Sequence, residues 1–290
     1  MADSLPADAA RRRRPVSDSL REYGRGIAGG LLFSLPLLYT MEVWWAGFTS
    51  HPASVLGYLL ATYVLLLGYN RYGGFRRDVC WFDVFTDSLE ELGLGLLVSL
   101  VVLVLIRRIG QGTSLQEAVG MVVVEAGTVA IGVSVGTAQL GGQHREEADE
   151  EDKKRLESAD HVPGQLVIAF CGAMLFAANV APTEEIVMIA VETQPWCLLG
   201  LAVLSLLLGG LILFQSDFAR AHRFTRRRLR RDVLAGTFVT YAVALLSSTL
   251  VLWFFGRFNG NGLSICVAQV VVLGLASTLG ASAGRLLIQS

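Results

Sequence analysis

Carboxylates within long apolar stretches are the residues of this sequence most suited to chemistry. An ionisable side chain at membrane depth is costly and is usually retained for binding or transport. The carboxylates divide by position into an outer group, Glu42, Glu125, Glu184 and Glu185, and a second acidic cluster, Asp87, Glu90 and Glu91. Both groups indicate binding of a cation or a proton.

The segment from Asn179 to Glu185 holds the densest set of candidate ligands. Pro182, and Pro36 in the first span, each remove a backbone donor within an apolar run, which breaks the helix and frees a carbonyl. A freed carbonyl, the Asn179 amide, the Thr183 hydroxyl and a carboxylate are the oxygen ligands that hard cations use. We therefore predict a cation or proton site, with Glu42 and Glu185 as the candidate metal ligands.

Glu125 is predicted to reach the same depth as this pair, and Thr40, Thr128 and Gln269 could complete the shell. A second interpretation stays open for Glu42, because Trp44 and Trp45 follow it and favour the membrane interface. The second acidic cluster begins a span, where negative charge also suits a helix N-terminus.

The elements that carry these residues are membrane-spanning helices. Of 290 residues, 53% are hydrophobic and only 17% charged, and the mean hydropathy is +0.52. Soluble, coiled-coil, collagen-like and nucleic-acid-binding proteins are therefore excluded. A span needs about 20 apolar residues, and we predict an all-α polytopic membrane protein with eight: 26–48, 53–69, 85–106, 118–140, 165–191, 197–214, 233–256 and 262–287.

The basic residues predict the orientation. All but three of the 24 lysines and arginines fall on one side if both termini are cytoplasmic, the exceptions being Arg107, Arg108 and Arg257. We therefore expect both termini inside, in a bacterial inner membrane. Residues 1–25 are polar and rich in arginine, and are predicted to be a disordered tail without a signal peptide.

The two halves of the chain resemble each other. At one constant spacing Thr40 pairs with Thr183, Glu42 with Glu185 and Pro52 with Pro195. Because each half holds four spans, the repeats at 26–140 and 165–290 are predicted to be parallel, related by an axis along the membrane normal. The charged residues 141–164 form the predicted cytoplasmic linker.

Other patterns bear on packing and partners. Glycines on the fourth and eighth spans predict close packing between the halves, or a homo-oligomer face: Gly127, Gly132, Gly136, Gly274, Gly280 and Gly284. The four cysteines lack the spacing of a zinc site, and no catalytic motif occurs. We expect that the protein is not an enzyme and that it needs no cofactor beyond a bound cation such as Ca²⁺, Na⁺ or K⁺.

Two stretches carry a resemblance. Leu38-Tyr-Thr-Met-Glu-Val-Trp-Trp45 and Ala181-Pro-Thr-Glu-Glu-Ile186 resemble an uncharacterised bacterial family of integral membrane proteins, and the resemblance covers most of the chain. Locally, Asn179 to Glu185 is similar to the acidic, proline-bearing α-repeats of cation/calcium exchangers, which implies cation binding there.

These observations favour a cation transporter or exchanger that binds a cation or a proton at intramembrane carboxylates. An oligomeric channel with acidic residues lining its pore is one alternative. A structural or binding protein of the lipid bilayer, with glutamates that are merely interfacial, is the other.

Overall fold

The computed structural model describes residues 16–73, 80–110, 112–140, 162–220 and 226–289, and every regular element in these ranges is an α-helix. The elements are α1 (Val16–Leu38), α2 (Met41–Thr49), α3 (Pro52–Tyr72), α4 (Trp81–Leu105), α5 (Leu115–Leu140), α6 (Val162–Val180), α7 (Glu185–Glu192), α8 (Pro195–Arg220), α9 (Arg226–Phe254) and α10 (Leu263–Gln289). Seven of these helices are long and apolar enough to span a membrane, and α1 with α2 would make an eighth. The predicted all-α polytopic fold is confirmed.

Two of the predicted spans, those in which Pro36 and Pro182 were predicted to break the helix, each divide into two helices. The stretch 26–48 divides into α1 and α2, whose axes differ by 86°. The stretch 165–191 likewise divides into α6 and α7, separated by a turn that contains Pro182. Proline explains both breaks, because it supplies no N–H to the helix ladder, and α1 ends two residues after Pro36.

The boundaries of the predicted tail and linker also change. Helix α1 begins at Val16, so the tail predicted at 1–25 is too long, since no glycine or proline interrupts the chain between Pro15 and Gly24. Helix α6 begins at Val162, within the linker predicted at 141–164. The rest of that linker, 141–161, lies outside the described residues.

The two halves, α1–α5 and α6–α10, use the same helix contacts. In the first half α5 packs against α1, α2, α3 and α4, and in the second half α10 packs against α6, α7, α8 and α9. The chain also turns alike at the end of α4 and of α9, where Arg107 and Gly256 both have a positive φ, 60° and 67°. The last helix of each half is therefore its centre.

Glycine allows the first helix of each half to approach the last one. A Cβ atom at Gly29 of α1 would overlap the backbone of Gly136 of α5, and one at Gly172 of α6 would overlap Gly280 of α10. The glycine stripes thus pack helices within each half. They do not join the two halves as predicted, and Gly127 is covered by the Tyr58 ring rather than by a second copy.

The halves meet mainly where α6 packs against α3 and α1. Cys171 and Leu175 of α6 join a buried apolar cluster with Leu66 of α3 and Ile131 of α5. At another contact the rings of Tyr58 in α3 and Phe254 in α9 stack, with centroids 4.5 Å apart.

Candidate functional site

Glu125 is the most deeply enclosed carboxylate among the described residues. It lies on α5 with 0% of its surface exposed, and neither of its carboxylate oxygens has a hydrogen-bond partner. Its neighbours in sequence, Val124 and Ala126, are also fully buried. A buried charge without a partner is strongly unfavourable, so this carboxylate either holds a proton or meets a cation.

Helix α2 supplies one wall beside Glu125. The bend after α1 lays α2 across α5, and the approach is so close that a Cβ at Gly47 would overlap the backbone at Gly120. This brings the indole N–H of Trp44 near Glu125, although the two groups do not form a hydrogen bond of standard geometry. The guanidinium of Arg108 lies 4.0 Å from the centre of the Trp44 ring and stacks on the indole.

Helix α3 supplies a second wall. Tyr58 lies over Gly127, two residues after Glu125, and its hydroxyl lies beside Thr128. The hydroxyl of Thr128 is buried and makes no hydrogen bond at standard distance. Because Phe254 stacks on Tyr58, the second half of the protein closes this wall.

The predicted pair Glu42 and Glu185 occupies matching places in the two halves. Glu42 lies in the first turn of α2 and Glu185 in the first turn of α7, with Glu184 just before it. Glu42 is half-buried, whereas Glu184 and Glu185 are exposed. Within the described ranges no three His, Cys, Asp or Glu side chains form a group that could hold a metal ion. A role for the pair in cation binding stays a prediction.

Asn179 has a structural partner on the other half. Its Nδ2 donates to the carbonyl of Phe33, 2.8 Å away, and to that of Leu175, 2.6 Å away. Its Oδ1 accepts the N–H of Leu37 at 3.2 Å. Phe33 and Leu37 are the two residues whose carbonyl and N–H pair in a regular helix. The amide predicted to be a cation ligand therefore bridges α6 to α1 beside Pro36.

The other predicted ligands near the breaks bond locally. The hydroxyl of Thr183 donates to the Val180 carbonyl at 2.9 Å, and that of Thr40 donates to the Pro36 carbonyl at 2.6 Å. Gln269 lies on α10 with 0% exposure, and its amide makes no hydrogen bond at standard distance.

The second acidic cluster contains a polar network that joins three helices. Asn70 of α3 donates to Oε2 of Glu91 at 2.7 Å and to Oγ of Ser88 at 3.0 Å, both on α4. Its Oδ1 accepts from Ser134 of α5 at 3.2 Å. Glu91 and Asp87 are half-buried, whereas Glu90 is exposed and accepts a hydrogen bond from Tyr23 of α1.

Sequence reasoning missed Asn70, Ser88 and Ser134. The sequence does show an amide, Asn70, near the end of α3 and one residue before Arg71. Its position is at the edge of the predicted span. That the amide turns inward depends on contacts among three helices, and spacing within one helix does not reveal it.

Glu125 and the Asn70–Glu91 network lie at different depths of the first half. Glu125 and Ser134 are nine residues apart on α5, which corresponds to about 13 Å of helix. Between them, Leu66, Ala130 and Ile131 are fully or almost fully buried in one apolar cluster. The two polar regions are therefore separated by a buried apolar layer.

Comparison with known proteins identifies the family. The chain belongs to the family described as "Putative integral membrane protein (DUF2391)", whose model matches residues 22–288. The predicted resemblance to a family of integral membrane proteins is thus confirmed, and contact with a lipid bilayer follows. Neither the curated proteins nor the solved structures contain a significant match.

Proposed function

We propose that this integral membrane protein is a cation transporter or exchanger that uses Glu125 as its central ion-binding carboxylate. The observation that carries the proposal is the full burial of Glu125 with both carboxylate oxygens unpartnered. Such a group is stabilised when it gains a proton or a cation and destabilised when it loses one. A transporter needs a group of this kind, because the stability of the carboxylate depends on whether an ion is bound to it.

The Asn70–Glu91 network supports the same proposal. It provides a second carboxylate toward the opposite end of α5, with an amide and a hydroxyl from two other helices beside it. The apolar layer around Leu66 keeps the two carboxylates apart. An ion-binding group on each side of a closed layer suits alternating access better than an open pore.

The second half lacks the acidic pair. Matching the two halves by their helix ends puts Leu273 at the position of Glu125, Thr240 at that of Glu91 and Leu213 at that of Asn70. In this proposal the first half therefore binds the ion, and the second half packs against the first.

Flux in proteoliposomes tests the proposal. Purified protein is reconstituted, and uptake of Na⁺, K⁺ and Ca²⁺ is followed with and without an imposed pH gradient. The wild type should give a flux that saturates and that depends on the gradient of a second ion. Glu125→Gln, which keeps size and loses charge, should reduce that flux to the level of empty liposomes.

Glu192→Gln is the matched control, because Glu192 is an exposed residue at the end of α7. It should transport as the wild type does. A wild-type flux from Glu125→Gln, or no flux from the wild type with any of these cations, would refute the proposal. A fast conductance linear in voltage would identify a channel instead.

A further inference from the structure

We infer that the ion which Glu125 binds is a proton and not a metal cation, an inference that rests on the proposed function and names its ion. The first support is the enclosure of the carboxylate. Trp44 from α2 and Tyr58 from α3 flank Glu125, and Gly47, Gly120 and Gly127 let these neighbours approach α5 closely.

The second support is the kind of atoms that surround the carboxylate. A hard cation such as Ca²⁺ takes six to eight oxygen ligands. Here two hydroxyls, from Tyr58 and Thr128, and the indole of Trp44 are neighbouring groups. An indole presents an N–H donor, which repels a cation. No set of three metal-binding side chains forms within the described parts of the chain.

The third support is what a protonated Glu125 would gain. A neutral carboxyl group carries an O–H donor and a carbonyl acceptor. The Thr128 hydroxyl, also buried and without a partner, can accept from the first or donate to the second. The Trp44 N–H, likewise unpartnered, is a donor toward the carbonyl oxygen. A proton therefore removes the uncompensated buried charge, and the remaining carbonyl oxygen can still accept from the indole, whereas a metal ion leaves the indole opposed.

The charged and titratable groups around Glu125 do not supply a permanent counter-ion. Tyr58 on α3 is uncharged at neutral pH. Arg108 stacks on the Trp44 ring, with its guanidinium carbon 4.0 Å from the ring centre. Glu42, in the first turn of α2, is itself a carboxylate and adds no positive charge. Each of these neighbours is compatible with a neutral Glu125.

Labelling with dicyclohexylcarbodiimide tests the inference on the wild-type protein in membranes. A protonated carboxyl group adds across the C=N bond of this apolar reagent, its proton passes to nitrogen, and rearrangement gives a stable acylurea with no leaving group. Mass spectrometry of peptides then reports the label at each glutamate. Glu125 should be labelled at neutral pH and progressively less at alkaline pH, whereas exposed Glu192 should stay unlabelled.

Excess Na⁺, K⁺ or Ca²⁺ should leave the labelling of Glu125 unchanged if its ion is a proton. Protection by any of these cations at constant pH would overturn the inference, and so would the absence of label at every pH. Glu125→Gln should remove the label and so identifies the peptide. If cations protect while flux persists, the proton assignment fails and the transporter stands. If labelling follows pH but no flux exists, the transporter fails and the proton site stands.

Discussion

Glu125 and Glu91 belong to the same half of the molecule, but different groups surround them. Glu125 is fully buried beside an indole and two hydroxyls, with no hydrogen bond at standard distance. Glu91 is half-buried and accepts a hydrogen bond from Asn70. In a bilayer the desolvation of a carboxylate is offset only by such donors, by a cation or by a proton. The charge of Glu91 is therefore stabilised by a hydrogen bond, whereas the charge of Glu125 must be offset by a cation or removed by a proton.

Asn70→Leu tests the polar network at the scale of single residues. The change keeps a similar size but removes the donors to Glu91 and Ser88 and the acceptor for Ser134. The free energy of unfolding in detergent should fall by about 1–3 kcal/mol. Thr86→Val is the control, since the Thr86 hydroxyl donates only within its own helix, to Phe82. Equal loss of stability in the two variants would mean that the network adds nothing.

At the scale of elements, the broken helices determine how the site is built. If α1 continued straight past Leu38, the segment that holds Trp44 would extend farther along the axis of α1. The bend of 86° after Pro36 turns α2 onto α5 instead. The corresponding break after α6 places α7 against α10. A proline break in the first helix of each half thus covers the end of its central helix.

Gly29→Ala tests the packing of α1 on α5. Alanine normally stabilises a helix over glycine by about 0.5–1 kcal/mol, but here the new methyl group would overlap the Gly136 backbone. A clash with backbone cannot be relieved by a rotamer change, so the free energy of unfolding should fall by about 1–3 kcal/mol.

Gly57→Ala is the matched control on α3, because a Cβ there meets open space. It should leave the thermal midpoint in detergent unchanged or slightly higher. If both variants behave alike, the close approach of α1 and α5 does not exist in the folded protein.

Hydropathy predicted the helices because a span must be about 20 apolar residues long, and that length is visible in one sequence. Pro36 predicted a break in the first span, but the direction of the bend after Leu38 was not predicted, since only the packing of α2 on α5 fixes it. Glu125 could be singled out because a carboxylate stands out among Val, Ala and Gly. The role of Asn179 could not, because its partners Phe33 and Leu37 lie in the other half of the chain.

At the scale of the whole molecule, the orientation in the membrane follows from the arginines and stays a prediction. Two native cysteines can test this orientation, because Cys80 and Cys197 are both exposed. Cys80 precedes α4, on the side predicted to be cytoplasmic, and Cys197 begins α8, on the opposite side. Variants that keep one of these cysteines and replace the others by alanine can therefore report each side.

An impermeant maleimide applied to intact cells should label the variant that keeps Cys197 and spare the one that keeps Cys80. In inverted membrane vesicles the result should reverse. Labelling of Cys80 from outside intact cells would reverse the predicted topology and would place both termini outside.

The contact between Asn179 and α1 has a consequence for how such a chain could arise. The spacing that pairs Thr40 with Thr183 also pairs Pro36 with Asn179, and the Asn179 amide binds the backbone on both sides of Pro36. In an ancestral dimer of identical halves, the same residue type would face itself across the axis. Two prolines would leave the freed backbone without an amide, whereas two asparagines would put the break of both halves where the second half has it, at the turn that contains Pro182. Because one chain carries both halves, one half keeps the proline at this position and the other supplies the asparagine that binds beside it.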